Sequence, residues 1–213
     1  MRLRVVTAEP DREPRDTRPA AAAVLEMAQA GDPRTGAALF DRYEAQVNRI
    51  VWRVLGADEA HDDLVQQVFI ALLKGLGRVR EAEALDGWVA VVTINTVRSE
   101  IRRRRIRRLW TRDEPLALDL AEAPAVPHEA RELLRRTYAV LDKLPADERI
   151  AFGLRFIDEM PLAEVAAACG CSLATIKRRL QSAQARFRRL AAKDPALAER
   201  LRLGEEGRDD GPA

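Results

Sequence analysis

Residues 161–190 read PLAEVAAACGCSLATIKRRLQSAQARFRRL, and the way this stretch divides decides the fold. A short segment, 161–169, stops at Gly170, a residue that tolerates a left-handed turn. Ser172 is a good N-cap, and Ile176, Leu180, Ala183, Phe187 and Leu190 then recur at helical spacing. Two helices joined by a glycine turn make a helix-turn-helix. Such a unit lays the early residues of its second helix in the major groove of DNA, which selects Ser172, Ala174, Thr175, Lys177, Arg178, Gln181 and Ser182 as the reading face. Lys and Arg pair with guanine edges and Gln with adenine. The bland alternative is a plain helical hairpin. Charge favours DNA, because residues 165–193 carry no acid against Lys177, Arg178, Arg179, Arg186, Arg188, Arg189 and Lys193.

Upstream, helical periodicity runs through Leu134, Tyr138 and Leu141 and breaks at Leu144-Pro145. It resumes behind Asp147 and Glu148, first-turn acids, with Ile150, Leu154 and Ile157. Residues 128–193 therefore read as one small helical domain. Before it, residues 113–127 mix Pro115, Pro124 and Pro127 with Asp113, Glu114, Asp119 and Glu122, the composition of a flexible acidic linker. A first helical domain occupies 20–112. Its opening stripe is Leu39, Tyr43, Val47, Ile50 and Val54, widened by Phe40, Val51 and Leu55 and ended by Gly56. The next helix opens near Asp58 and runs through Leu64, Val65, Val68, Phe69, Leu72 and Leu73 to Gly75 and Gly77. A charged loop, GRVREAEALDG at 77–87, leads to a third helix beginning near Trp88 with Asp86 as its cap. Residues 1–19 read as a disordered leader and 194–213 as a frayed tail.

The third helix has two unlike sides. Val91, Ile94, Val97 and Ile101 form its apolar side; Trp88, Asn95, Arg98, Arg102 and Arg105 share the other. An aromatic surface, an amide and several cations suit unstacked bases and their phosphates. Against this, cations at a helix C-terminus also complement its dipole, and a lone Trp is as readily core. The arginines cluster, with Arg98, Arg102, Arg103, Arg104, Arg105, Arg107, Arg108 and Arg112 set against Glu100 alone.

Composition bounds the function. The chain has 213 residues and a net charge of +2, but its 36 basic and 34 acidic residues are segregated, giving two basic faces for one polyanion. No apolar run is long enough to span a membrane, and Glu9, Asp11 and Glu13 stand where a signal peptide would be apolar, so the cytoplasm is the expected compartment. Cys169 and Cys171 are too few for a disulfide scaffold, and a single C-x-C reads more readily as packing thiols than as a metal site. His61 and His128 lie in different domains. The acids Asp58, Glu59, Asp62 and Asp63 suit a helix N-terminus better than acid-base chemistry. Phosphate loops, G-x-S-x-G and H-E-x-x-H are absent. Neither a cofactor nor an enzymatic activity is expected.

Taken together, the segments ALFDRYEAQVNRIVWRVLG, DDLVQQVFIALLKGL and GWVAVVTINTVRSEIRRRR, followed by LDKLPADERIAFGLRFIDEMPLAEVAAACGCSLATIKRRLQSAQARFRRL, resemble a bacterial RNA polymerase sigma factor of the small extracytoplasmic-function type. The resemblance spans residues 24 to 192. It implies an all-α protein of two small domains, the first docking on core RNA polymerase and melting the promoter, the second reading the −35 duplex. By that resemblance Asp63, Gln66 and Gln67 dock on the polymerase's largest subunit. Trp88, Asn95, Arg98, Arg102 and Arg105 fall where the family captures the single-stranded −10 element, and the helix after Ser172 falls on the −35 reader. The linker would thread near the active-site and RNA-exit channels, and an anti-sigma factor wedged between the domains is an implied partner. The chain departs from the family pattern in Ile94, where an Arg is common, in Gln67 for Glu and in Arg178 for a small Ser. Other readings stay open: a stand-alone helix-turn-helix regulator, which leaves the basic third helix unexplained; a magnesium-dependent recombinase or nuclease using Asp62 and Asp63; and a structural bundle.

Overall fold

A computed structural model describes residues 19–111 and 127–209, and all their regular elements are helices. Residues 1–18, which hold nearly all of the expected leader, lie outside the described residues, and so does the expected linker apart from Pro127.

The first domain is built on α2 (Thr35–Leu55), α3 (His61–Gly75) and α4 (Ala82–Thr111). Leu39, Tyr43, Val47, Ile50 and Val54 are all buried, as their spacing predicts. Each such apolar side chain removed from water stabilises the fold by about 1.5–3 kcal/mol. Gly56 ends α2 at φ 78°, a conformation that costs a β-carbon-bearing residue strain. Phe40 and Leu73, expected in the core stripes, are exposed. A helix that the periodicity did not mark, α1 (Ala21–Gln29), lies across α2 and α4 and buries Val24 and Leu25. Its alanine-rich sequence, AAAVLEMAQ, favours helix but has too few polar residues to set off an apolar stripe.

Two boundaries are corrected. Helix α3 starts at His61 rather than near Asp58, whose carboxylate accepts from Ala60 N–H at 2.9 Å and pairs with Arg104. Helix α4 starts at Ala82, so the last part of the expected charged loop is helical. Asp86 caps nothing: it accepts from the Tyr43 hydroxyl at 2.7 Å and pairs with Arg42 at 3.3 Å. That tie to α2 anchors the first turns of α4.

The second domain comprises α5 (His128–Leu141), α6 (Ala146–Phe152), a π-helical turn at Gly153–Ile157, α7 (Leu162–Ala168), α8 (Leu173–Ala191) and α9 (Pro195–Asp209). Gly170 makes the turn between α7 and α8 at φ 62°, and Ser172 Oγ accepts from Thr175 N–H at 3.2 Å, as an N-cap should. Phe152 stacks on Phe187 with ring centroids 4.9 Å apart, joining α6 to α8. Residues 194–213 were expected to be frayed, but 195–209 are helical. Asp194 accepts from Ala196 and Leu197 N–H, Pro195 occupies the first helical position, and Leu197 is buried beneath α9 against α5 and α8. The two domains are docked: one buried cluster runs from Leu39 and Ile50 through Ile94 to Ile150, Val165 and Leu180.

Candidate nucleic-acid interface

On α4, Trp88 is half-buried and packs over the end of α3. A β-carbon at Gly75 would stand 2.7 Å from its ring, so the glycine is what lets the indole lie there. Trp88 and Asn95 border one shallow groove of about 450 Å³, completed by Ala71, Arg78, Val92, Thr96 and Ser99. Asn95 is exposed, and its side-chain oxygen accepts from Arg98. The structure thus brings the expected aromatic and amide together and adds three polar residues. Thr96 and Ser99 continue the helical spacing from Trp88 and were findable by extending it; Arg78 lies in the segment before α4, where spacing carries no information.

The arginines divide into three groups. Arg105 is exposed. Arg98 Nε donates to Asp147 on α6 at 2.8 Å, and Arg102 reaches the same carboxylate at 3.4 Å. Arg104 is buried between Glu100, which accepts from its Nε at 2.6 Å, and Asp58. Burial alone would raise the Asp58 carboxyl, but the hydrogen bonds and charge of Arg104 outweigh it and hold the group below the usual carboxylate range. Arg104 is therefore structural, and the run is not a uniform cationic face.

On α8, Ala174, Lys177, Arg178 and Gln181 are exposed with Ser172, and Thr175 is half-buried. Ala174, Lys177, Arg178 and Gln181 share one accessible face of the helix, while Ser172 and Thr175 pair with each other at its N-terminus. Ser182 does not join it: its hydroxyl donates to Glu148 at 2.8 Å, and Arg186 pairs with the same carboxylate at 3.1 Å. On α3, Asp63, Gln66 and Gln67 are exposed together, and Ile70 and Leu73 extend that face with apolar surface. Those two leucine-like residues sit among core positions in sequence, so only the packing separates them.

The cysteines sit beside the turn. Burial pushes the Cys169 thiol up to about 11, and Cys171 accepts from Arg179 at 3.6 Å. His61 contacts Asn48 at 2.7 Å and Trp52, and burial lowers its pKa. Among the described residues no group of three or more His, Cys, Asp and Glu could hold a metal, and no helix is long and apolar enough to cross a membrane.

Comparison with known proteins gives these surfaces a context. Residues 39–107 match the family model for sigma-70 region 2, and residues 134–186 that for sigma-70 region 4. The ECF RNA polymerase sigma factor EcfG of Rhodopseudomonas palustris is 34% identical over 141 residues, covering 66% of this chain and 75% of that protein. The ECF RNA polymerase sigma-E factor of Escherichia coli K12 is 24% identical over 166 residues, covering 74% of this chain and 86% of that one. Among solved structures, CnrH in complex with the cytosolic domain of CnrY is similar in fold, with a TM-score of 0.55 and 24% identity over 83% of this chain and 99% of that one. The sigma factor RpoE of Bartonella quintana, in complex with the anti-sigma factor NepR, has a TM-score of 0.55 and 21% identity, covering 76% of this chain and 99% of that one.

Proposed function

The chain belongs to the ECF sigma factors of RNA polymerase, and from that membership we propose how its surfaces share the work. A sigma factor directs RNA polymerase to promoters, so this protein acts in transcription initiation, with core polymerase and promoter DNA as its partners. Residues 20–112 form the domain that docks on polymerase and melts DNA, and 128–193 the domain that reads duplex.

Docking falls to the exposed face of α3, where Asp63, Gln66 and Gln67 are joined by Ile70 and Leu73. The groove between Trp88 and Asn95 takes unstacked bases of the −10 non-template strand, with Arg98, Arg102 and Arg105 on its phosphates. Stacking on an indole and hydrogen bonding to an amide stabilise a strand that has left the duplex, which is how binding drives melting. Helix α8 reads −35 duplex through Lys177, Arg178 and Gln181, supported by their exposure on one face. The chain makes and breaks no bond itself, and it works in the cytoplasm, where polymerase is. The sigma factor RpoE solved with the anti-sigma factor NepR supports an anti-sigma factor as its regulator.

One observation carries this reading: matches to region 2 and region 4 occur in that order in one chain. A stand-alone helix-turn-helix regulator needs only the second. Reconstituted transcription on fragments of the parent genome tests the proposal. Core polymerase with this protein should yield transcripts from discrete start sites that core alone does not make; identical transcript patterns with and without the protein would overturn it.

A further inference from the structure

Ile106 and Trp110 stand near the end of α4, 58% and 85% exposed, and among the described residues no large apolar side chain is more open to solvent than Trp110. From Trp88, Asn95 and Ser99 of the groove, the same line of the helix runs on through Arg102 and Ile106 to Trp110, in steps of seven, four or three residues. The opposite side of α4 is the one that packs: Arg104 is held by Asp58, and Arg108 by Asp142 of the second domain. The exposed charge of this end of the helix has one sign. Arg102 and Arg103 keep 60% and 63% of their side-chain surface while pairing with Asp147 and Glu100, and Arg105 and Arg107 are exposed beside them. Glu100, the only acid of α4 from Ser99 to Trp110, is 6% exposed. A single exposed apolar residue needs no explanation, but an indole and a branched aliphatic one turn apart, rimmed by arginines, mark a contact surface.

We propose that Ile106 and Trp110 are a second stacking site for unpaired nucleic acid, on the same strand that the Trp88 groove takes, with Arg102 and Arg103 on the phosphates between. The inference rests on the assignment of that groove to the non-template strand and extends it. A nucleotide strand presents an anion and a flat aromatic plate in every unit, and this line of α4 answers with cationic and apolar surface in turn. Stacking needs only a π-face, so Trp110 works on any base and sets how much strand is held rather than which sequence is chosen. Trp88 and Trp110 lie about 33 Å apart along the axis at about 1.5 Å per residue, which a stacked strand at about 3.4 Å per nucleotide spans in about ten nucleotides. Residue 110 also lies past the region 2 match, which ends at 107, so the second site is no part of what that match implies.

Strand length tests this. Labelled single strands of mixed sequence, about 5 and about 15 nucleotides long, are made so that the short one fills the groove and the long one reaches both sites. Each is titrated by fluorescence anisotropy with the full chain in complex with core RNA polymerase, core polymerase alone serving as the blank. The long strand should bind more tightly than the short one. Trp110→Ala should lower long-strand affinity about tenfold and leave the short strand at its wild-type value, and Trp110→Phe, which keeps a ring face, should retain most of the affinity. Substitution at so exposed a position leaves the fold intact, so the loss reads on binding. Equal affinity for the two lengths in the wild type, a long strand unaffected by Trp110→Ala, or the same loss at both lengths would overturn the second site while the groove assignment stands. A Trp110→Ala chain that binds core polymerase more weakly would make the face a protein contact, which also overturns it. Strand binding no stronger than that of core polymerase alone, in the wild type and every variant, would remove the groove assignment and the inference with it.

Discussion

Arg104 stands in an unbroken run of arginines, yet it is 7% exposed while Arg103 and Arg105 face solvent. What sets it apart is the pair of buried carboxylates, Asp58 and Glu100, that converge on its guanidinium. Removing it leaves the desolvated Asp58 without its ion-pair partner, while Glu100 keeps Arg103, so Arg104→Ala should cost about 3–5 kcal/mol in urea unfolding. Arg105→Ala at the exposed neighbour should stay within about 0.5 kcal/mol, and equal costs would contradict the assignment. The pair also sets an acid limit. The Asp58 pKa is lower folded than unfolded, so its contribution is fully present above the ordinary Asp range and is lost as pH falls through the folded value. Asp58→Asn should therefore flatten the acid limb of the stability curve below about pH 4. Cys169 offers a second residue-level check: with its thiol pushed up to about 11 by burial, it should react with a thiol reagent at pH 8 well after Cys171, and both should react together once the chain is unfolded. None of this division was legible in sequence, where Asp58 reads as a helix cap and nothing distinguishes Arg104 from its neighbours. The distinction exists only once α3 and α4 are packed.

Among the elements, α8 was legible almost to the residue because its signals are local: a glycine turn, a serine cap and an apolar period. Lys177→Ala or Arg178→Ala should weaken −35-dependent binding by about 1–3 kcal/mol if the side chain reads a base. An equal loss on every sequence, with a salt slope reduced by about one, would make it a phosphate contact instead. Helix α4 was harder. Ala82, Ala84 and Leu85 favour helix, but the charges around them read as a loop, and the tie of Asp86 to Tyr43 that fixes those turns is long-range. The groove was half legible for the same reason: Trp88 and Asn95 share a helical face, whereas Arg78 comes from outside the helix. Asn95→Ala should leave duplex binding intact and reduce permanganate reactivity of −10 thymines in the open complex. Unchanged reactivity would place the strand elsewhere. Helix α9 escaped notice because its glycines and acids suggest fraying, while Asp194 and Leu197 decide otherwise.

At the scale of the molecule, the sequence marks two helical domains and says nothing of how they meet. Docking depends on complementarity between the end of α2 and α6, which no periodicity encodes: an arginine for open carbonyls, a glycine where backbones touch. Gly153→Ala should increase the radius of gyration of the free protein in small-angle scattering, and an unchanged value would show that the interface absorbs the methyl group. Beyond that geometry, the account stands on engagement with polymerase. Its most direct test is a titration of the fluorescently labelled full chain with bacterial core RNA polymerase, competed by an unlabelled primary sigma factor. Saturable binding that the competitor displaces is the predicted result; tight, salt-sensitive duplex binding with no affinity for core polymerase would contradict it.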